Sequence, residues 1–317
     1  MMKIHRITSL GGGHGLFQTL RSARSLNIEH ITAVVTVADD GGSSGRIRRE
    51  LGQSPPGDLR MALAALTRDE PDGHLWEGVL QHRFGGTGAL AGHAVGNLLL
   101  SGLTEYFGSQ VQALDFVART ANCQGRVLPV CEQPLDIEAD VSGLDDDPRI
   151  MLPVRGQVSV ATTPGSVRRV RLIPDKPEAC RAAVTAILDA DVVTLGPGSW
   201  FTSVIPNLLV PGIVDALANT RAKKIVVLNL TAEPGETAGF SAERHIHMLS
   251  QHAPLLQVDR IIVDAATIPT QRERAQLARA AASLGAEVAF HDVQEAGTNR
   301  HDPAKLAAAL VSECEKG

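Results

Sequence analysis

The sequence predicts a doubly wound α/β fold, built on a mostly parallel sheet, with a small antiparallel insertion. Short apolar runs alternate with helical patterns through both ends of the chain. The run ITAVVTVA (31–38) is β-branched and continuous, as is typical of a strand buried on both faces. Glycine clusters directly follow several of these runs, as strand-to-loop junctions of such folds require.

In the first half, strand and helix patterns follow one another in a regular order. Asp58, after Pro55-Pro56-Gly57, is expected to cap the helix that follows it, because its carboxylate can accept first-turn N–H groups. The predicted elements are the strand HRITSL (5–10), the helix LFQTLRSARSL (16–26), the strand 31–38, the helix LRMALAALTRD (59–69) and a helical stretch over 93–118.

Residues 125–174 have a different pattern. The short alternating runs RVLPV, LDIEADV, RGQVSVA and VRRVRLIP are separated by Pro, Gly and Asp, which indicates an antiparallel meander. We therefore expect a single domain over 1–317 with a β-rich insertion at approximately 125–174.

After a helix near 177–189, the α/β alternation resumes and continues to the end of the chain. Strands are predicted in DVVTLGPGSW (191–200), KKIVVLNL (223–230), RIIVDA (260–265) and EVAFHDV (287–293), and helices in 203–219, 242–252, 271–285 and 302–316.

Composition excludes several classes of protein. With 317 residues and 44% hydrophobic content, the chain can bury a large core, whereas a net charge of −5 and 3% aromatic residues disfavour nucleic-acid binding. The apolar N-terminal run breaks at once into glycines, and no segment is long enough for a membrane span. The widely spaced cysteines are typical of reduced thiols, so a cytoplasmic location is expected.

Two loops near the N-terminus are candidates for ligand binding, because ligands of open parallel sheets lie beyond the carboxyl ends of the strands. Gly11–Gly15 is either a phosphate loop or a tight turn; Leu16 stands where the dinucleotide fingerprint has its third glycine. In the second loop, Asp39 and Asp40 can bind a ribose or hold Mg²⁺ on a diphosphate. The alternative for that loop is a turn with Ser43 or Ser44 as a helix cap.

Two further loops fall at similar positions. The glycine-rich run 85–92 ends at His93, and Asn97 follows one helical turn later. His93 either donates a hydrogen bond to a phosphate, acts as a base, or only hydrogen bonds to the backbone where a helix begins. The segment from Gly196 to Ser199, ahead of Thr202, is either a phosphate cradle or an ordinary turn, and Asn229 leaves the next strand at the same rim.

Taken together, these motifs resemble the CofD/YvcK family. The segments that carry the resemblance are GGGHG, TVADDGGSSGRIR, PPGDLRMALAAL, GHAVGNLLL, LGPGSWFTSVIPNLLVPGI and KKIVVLNL. GHAVGNLLL and GPGSWFTSVIPNLLVPGI place the chain nearer to the YvcK branch, the gluconeogenesis factors. The resemblance implies a Rossmann-like core and a cytoplasmic protein.

The YvcK branch implies a regulator rather than an enzyme. Its members bind UDP-sugars, chiefly UDP-N-acetylglucosamine, and are associated with cell shape and envelope precursor metabolism on gluconeogenic carbon sources. Such a regulator implies a protein partner, which the sequence does not identify, and a homodimer is the default expectation. The CofD branch instead implies a Mg²⁺-dependent transferase that moves a phospholactyl-type group from a nucleotide-activated donor to a deazaflavin.

Site residues carried over from the resemblance fall into two halves of a nucleotide site. Arg300 would bind the diphosphate, because a guanidinium binds phosphate oxygens in pairs. In a transferase, Asp39 and Asp40 would hold Mg²⁺ and His93 would be a further catalytic candidate. One half comprises Gly12, Gly13, Asp39, Asp40, Ser43 and Ser44, and the other His93, Asn97, Gly198, Ser199, Thr202 and Asn229.

A third hypothesis is that the chain is an NAD(P)-binding protein. The glycine loop and the acidic strand end favour this hypothesis, whereas Leu16 disfavours it.

Overall fold

The computed structural model describes residues 4–147, 149–233, 236–237 and 239–316. In chain order, the strands are β1 Arg6–Gly11, β2 His30–Val35, β3 Arg126–Pro129, β4 Asp136–Ser142, β5 Met151–Arg155, β6 Ser166–Ile173, β7 Val192–Leu195, β8 Lys223–Val227, β9 Arg260–Asp264 and β10 Glu287–His291.

The helices alternate with these strands. They are α1 Gly13–Ser25, α2 Gly42–Leu51, α3 Gly57–Leu66, α4 Pro71–Gln81, α5 Val95–Phe107, α6 Gln110–Thr120, α7 Gln157–Ala161, α8 Arg181–Leu188, α9 Ile205–Leu208, α10 Pro211–Asn219, α11 Ala242–His252, α12 Gln271–Ala282 and α13 Pro303–Glu315; a π-helical turn, Trp200–Val204, precedes α9.

The central sheet has seven strands in the order β10-β9-β8-β7-β1-β2-β3, and every pair is parallel. The chain builds outward from β1 to β3 and then restarts beside β1 with β7, so the strand order reverses between β1 and β7. Ligands of doubly wound sheets bind at such a switch point. The predicted fold class is therefore confirmed.

A separate three-stranded antiparallel sheet, in the order β5-β4-β6, forms the β-rich insertion. Two details differ from the sequence prediction. Residues 126–129 pair in parallel with β2 and so belong to the central sheet. Residues 157–161 form α7 instead of a strand, because Gly156 turns the chain with φ 99° and the Asp40 carboxylate accepts the N–H of Val158 in the first turn.

One continuous apolar core holds the layers together. The central strands are buried almost throughout, since Leu10, Val34, Leu195 and Val226 are each at most 1% exposed. Helix α1 packs against α3 and α13, which brings the two ends of the chain together. This packing fixes the N-terminus of α1 beside the loop that follows β7.

Within the described ranges, no single helix is long and apolar enough to cross a membrane; residues 200–208 and 211–219 meet that length and composition only as a pair bent by 70°.

Candidate functional site

A cleft of about 700 Å³ opens at the carboxyl ends of β1, β7 and β8. Its walls come from the start of α1, the loop after β7, the loop after β8 and the segment before α13. Of the residues predicted from sequence, Gly198, Asn229 and Arg300 line this cleft. The switch point of the sheet therefore carries a concave site built from both halves of the chain.

The two glycine loops meet at the floor of the cleft without room for side chains. A Cβ on Gly15 would lie 2.1 Å from the Pro197 carbonyl oxygen. Asn229 fixes the second loop, because its Oδ1 accepts the Gly198 N–H at 2.9 Å and its Nδ2 donates to the Gly198 carbonyl at 2.9 Å. Asn229 thus orients the glycine loop as well as lining the cleft.

Four arginines, Arg21, Arg60, Arg83 and Arg300, line the cleft. Burial lowers the pKa of Arg60 to about 10, and the nearby charge of Arg83 adds to the effect, so Arg60 stays cationic at neutral pH. The first turn of α1 at the same cleft carries no acidic residue and no side-chain cap. The Asp58 carboxylate already accepts from the Gly13 backbone at this helix start. It is therefore the four guanidinium groups that favour a phosphate-bearing ligand.

Behind the first glycine loop lies a pair of carboxylates, Asp39 and Asp58. Asp39 accepts the Gly41 N–H at 2.9 Å, whereas Asp58 receives a hydrogen bond from the Gly13 backbone. The Oδ2 of Asp58 is buried and has no hydrogen-bond partner among the described residues. Burial raises the pKa of Asp39, and burial together with the charge of Asp39 raises that of Asp58 to about 7. The expected helix cap at Asp58 is wrong, since α3 has no side-chain cap and the carboxylate points to α1.

The pair formed by Asp39 and Asp58 is a candidate for holding a metal ion. Among the described residues, no group of three or more His, Cys, Asp or Glu side chains could hold a metal ion. Mg²⁺ is nevertheless commonly bound by one or two carboxylates together with substrate phosphates and waters. Asp39 and Asp58 therefore fit a cation that arrives with a diphosphate, and Asp40 does not belong to that pair.

Asp40 faces the insertion instead of the cleft. Its Oδ1 accepts the Val158 N–H at 2.9 Å, and a Cβ on Gly156 would lie 2.4 Å from its Oδ2. Asp40 thus anchors α7 to the loop after β2.

Ser43, His93 and Asn97 form a buried polar cluster of their own. The Ser43 hydroxyl lies 2.8 Å from Nδ1 of His93 and accepts from Nδ2 of Asn97 at 3.0 Å. All three are at most 6% exposed, and none lines the cleft. Ser44 is also buried and accepts the Gly57 N–H at 3.0 Å. These four predicted residues, which come from both halves of the predicted site, therefore support the loop structure.

The second glycine loop already has carboxylates beside it. Glu236 accepts the Phe201 N–H at 3.0 Å and the hydroxyl proton of Thr202, and Ser199 donates to Glu233. Burial raises the pKa of Glu233, and raises that of Glu236 to about 7. The N–H of Phe201 and the hydroxyl of Thr202 are therefore engaged by the protein itself, while Glu233 lines the cleft.

His301 contributes a neutral imidazole to the cleft. Burial lowers its pKa to about 4, and its buried Nε2 has no hydrogen-bond partner within the described ranges. The sequence analysis did not identify His301, Arg60, Arg83 or Glu233 as cleft residues, nor the position of Asp58 behind the first glycine loop. Two of them had a visible signal, since Arg60 follows Asp58 by two residues and His301 follows Arg300.

Comparison with known proteins agrees with the resemblance drawn from the motifs. The model of the family described as 2-phospho-L-lactate transferase CofD matches residues 7–303. A Mycobacterium tuberculosis protein that bears the gluconeogenesis-factor name is 62% identical over 98% of this chain and 90% of its own length. The gluconeogenesis factor of Bacillus subtilis is 36% identical over 96% of this chain and 97% of its own length.

A solved structure agrees with the architecture. The crystal structure of a Bacillus halodurans member of the UPF0052 family matches with a TM-score of 0.85 and 35% identity, and covers 98% of this chain and 100% of that chain. With the family model and these relatives matching nearly end to end, the chain belongs to the CofD family, alongside its members named gluconeogenesis factors.

Proposed function

We propose that this protein binds a UDP-sugar, chiefly UDP-N-acetylglucosamine, and acts as a regulator of cell shape and envelope precursor metabolism during growth on gluconeogenic carbon sources. The observation that carries the proposal is the cleft at the switch point, which four arginines line together with the first turn of helix α1. The gluconeogenesis-factor name of the relatives supports the physiological part.

The cleft offers complementary groups for each part of such a ligand. Arg60 and Arg300 supply paired donors for the diphosphate oxygens. Glu233 and Asn299 lie in the same walls and can bind hydroxyl groups of the ribose or sugar. Phe17 adds an apolar face for the base, with the Arg21 guanidinium 5.3 Å from its ring centroid.

The proposal extends to the domain organisation, cellular location, oligomeric state and partner of the protein. We propose one domain over 1–317, a cytoplasmic location, a homodimer, and a protein partner that responds to the loaded form. The free cysteines Cys123, Cys131, Cys180 and Cys314 agree with a reducing compartment.

Calorimetry tests the ligand. UDP-N-acetylglucosamine, UDP-glucose, NAD and GTP are compared, each with and without Mg²⁺, on wild-type protein and on Arg300→Gln. Arg272→Gln, an exposed arginine on α12, is the matched control. We expect UDP-N-acetylglucosamine to bind most tightly and Arg300→Gln to weaken it by roughly tenfold or more, which is the size of a lost charge-assisted contact. Folded protein that binds no UDP-sugar would overturn the proposal.

The second candidate is a CofD-like transferase, which the partnerless Oδ2 of Asp58 beside Asp39 favours. In that reaction Asp39 and Asp58 would hold Mg²⁺, which would offset charge on the phosphates of the donor. Turnover of a nucleotide-activated phospholactate with a deazaflavin acceptor, lost in Asp58→Asn, would favour this candidate. Wild-type protein inactive with that pair would exclude it.

A further inference from the structure

A second groove, of about 590 Å³, lies between the insertion sheet and α11, with walls separate from those of the cleft. Val167 and Met248 form its apolar floor, each at most 7% exposed. Arg168 from β6 and Arg244 from α11 stand on opposite walls. The groove therefore brings two guanidinium groups from distant parts of the chain to one cavity.

The position of Arg168 depends on an irregularity in the sheet. Val141 pairs with Val167 and Asp140 pairs with Arg169, so Arg168 is the extra residue of a β-bulge. Bulges re-aim a side chain and often lie beside functional sites. The guanidinium is then held by the Ser142 hydroxyl, which accepts from its Nε at 2.7 Å.

Arg244 is held in place by an aromatic ring. Its guanidinium carbon lies 3.9 Å from the centroid of the Phe240 ring, which fixes the plane of the fork and leaves its N–H groups free for a ligand. Ser241 and Gln251 line the same groove and can hydrogen bond to hydroxyl groups.

Within the part of the chain that the structure describes, neither of these two guanidiniums has a carboxylate partner. Among the ion pairs of the described residues, none within 4.0 Å involves Arg168 or Arg244, although Glu243 also lines the groove. By contrast, Arg171 on the same strand is paired with both Glu138 and Asp140. Burial, followed by the charge of Arg168, lowers the pKa of Arg244, as expected for two cations near each other without a counter-ion.

We propose that this groove is a second ligand site, which binds the phosphate of a small phosphomonoester. Two guanidinium groups match the near-dianionic charge of a phosphomonoester at neutral pH. The volume exceeds that of a phosphate ion, and the apolar floor with flanking hydroxyl and amide groups suits a short polyol attached to it. The site does not depend on the ligand of the cleft.

Titration of the whole chain with glycerol 3-phosphate tests the site, with glycerol as the uncharged control. The test variants are Arg168→Gln and Arg244→Gln. The matched control is Arg169→Gln, which removes the same charge from the neighbouring residue of β6 that lies outside the groove lining. We expect saturable binding to wild type, at least about tenfold weaker in each test variant and unchanged in the control.

Three results would overturn the proposal. The first is wild-type protein that shows no saturation in the millimolar range, and the second is Arg169→Gln weakening binding as much as Arg168→Gln. The third is loss of binding in the cleft variant Arg300→Gln alone. The last result would assign the phosphate to the cleft. Because Arg168 is exposed, its variant should keep the wild-type melting temperature, so that loss of binding in it is not caused by unfolding.

Discussion

Asp58 is the residue whose role changes most between sequence and structure. It lies next to a helix start and so has the sequence pattern of a cap, but its carboxylate receives a hydrogen bond from the Gly13 backbone and lies beside Asp39. A Cβ on Gly12 would lie only 2.5 Å from its Oδ2. The glycine at position 12 is thus required for the approach of this carboxylate to the first glycine loop.

Asp58→Asn should stabilise the protein in a pH-dependent way. Burial and the charge of Asp39 raise the pKa of Asp58 from 3.8 to about 7, so the folded state keeps a proton that the unfolded chain releases. Stability from this group is therefore greatest below about pH 4 and falls as pH rises to about 7. Asn cannot ionise, so we expect no difference near pH 4 and a gain on the order of 2–4 kcal/mol above pH 7.

Chemical denaturation across this pH range measures the effect. Asp72→Asn, which removes a carboxylate from the exposed first turn of α4, serves as the control. A stabilisation by Asp58→Asn that is equal at pH 4 and pH 8 would contradict the pKa shift and point to packing instead.

At the scale of elements, the two glycine loops form one unit because helix α1 abuts the loop after β7. Gly15→Ala places a methyl group 2.1 Å from the Pro197 carbonyl oxygen, which belongs to the backbone and cannot rotate away as a flexible side chain could. We expect a loss of about 1–3 kcal/mol in the free energy of unfolding, together with weaker binding in the cleft.

Gly78→Ala is the matched control for this substitution. Gly78 is also a helical glycine, but a Cβ there meets nothing within 4 Å. Its replacement should be neutral or stabilise the protein by about 0.5–1 kcal/mol through helix propensity. Urea denaturation of both variants gives the change in the free energy of unfolding for each. Equal changes would mean that the backbone near Pro197 shifts at little energetic cost.

The elements could be predicted from sequence where burial dictates the pattern. Buried parallel strands read as continuous apolar runs, so β2, β7 and β9 are visible directly. The short strand β3 could not be distinguished from the meander, because a run of four residues shows no period. The five-residue helix α7 depends on its contact with Asp40, which lies more than a hundred residues away in sequence.

The location of the site could be predicted from sequence, but only some of the residues that line it could. Strand ends of a parallel sheet converge, and so Gly198 and Asn229 are found in one cleft. Arg300, which lies in the same cleft, follows no strand directly and was expected only from the family resemblance. Sequence does not show which way a side chain leaves a loop. Asp40 and His93 lie in loops of the same predicted kind as the cleft residues. The structure nevertheless turns Asp40 toward the insertion and pairs His93 with Ser43 in the interior.

At the scale of the molecule, the cleft joins the two halves of the sheet, whereas the insertion sheet stands apart from it. A ligand held in the cleft should therefore slow amide hydrogen exchange in both halves at once, since it stabilises the folded state and orders the loops that it touches. With UDP-N-acetylglucosamine we expect protection at 12–17, 197–203 and 229–233, and no local protection in 136–142 and 166–173, the strands β4 and β6.

Amide hydrogen exchange, measured by mass spectrometry on the free and the ligand-bound protein, tests whether the ligand protects both halves of the sheet. Arg300→Gln, treated with the same ligand concentration, should lose the protection in both halves together, because each half contributes walls to a single cavity. Protection confined to 36–46 would instead assign the nucleotide to the Asp39 loop alone. In that case the arginines of the cleft would not form the diphosphate site, and the regulatory proposal would lose its structural basis.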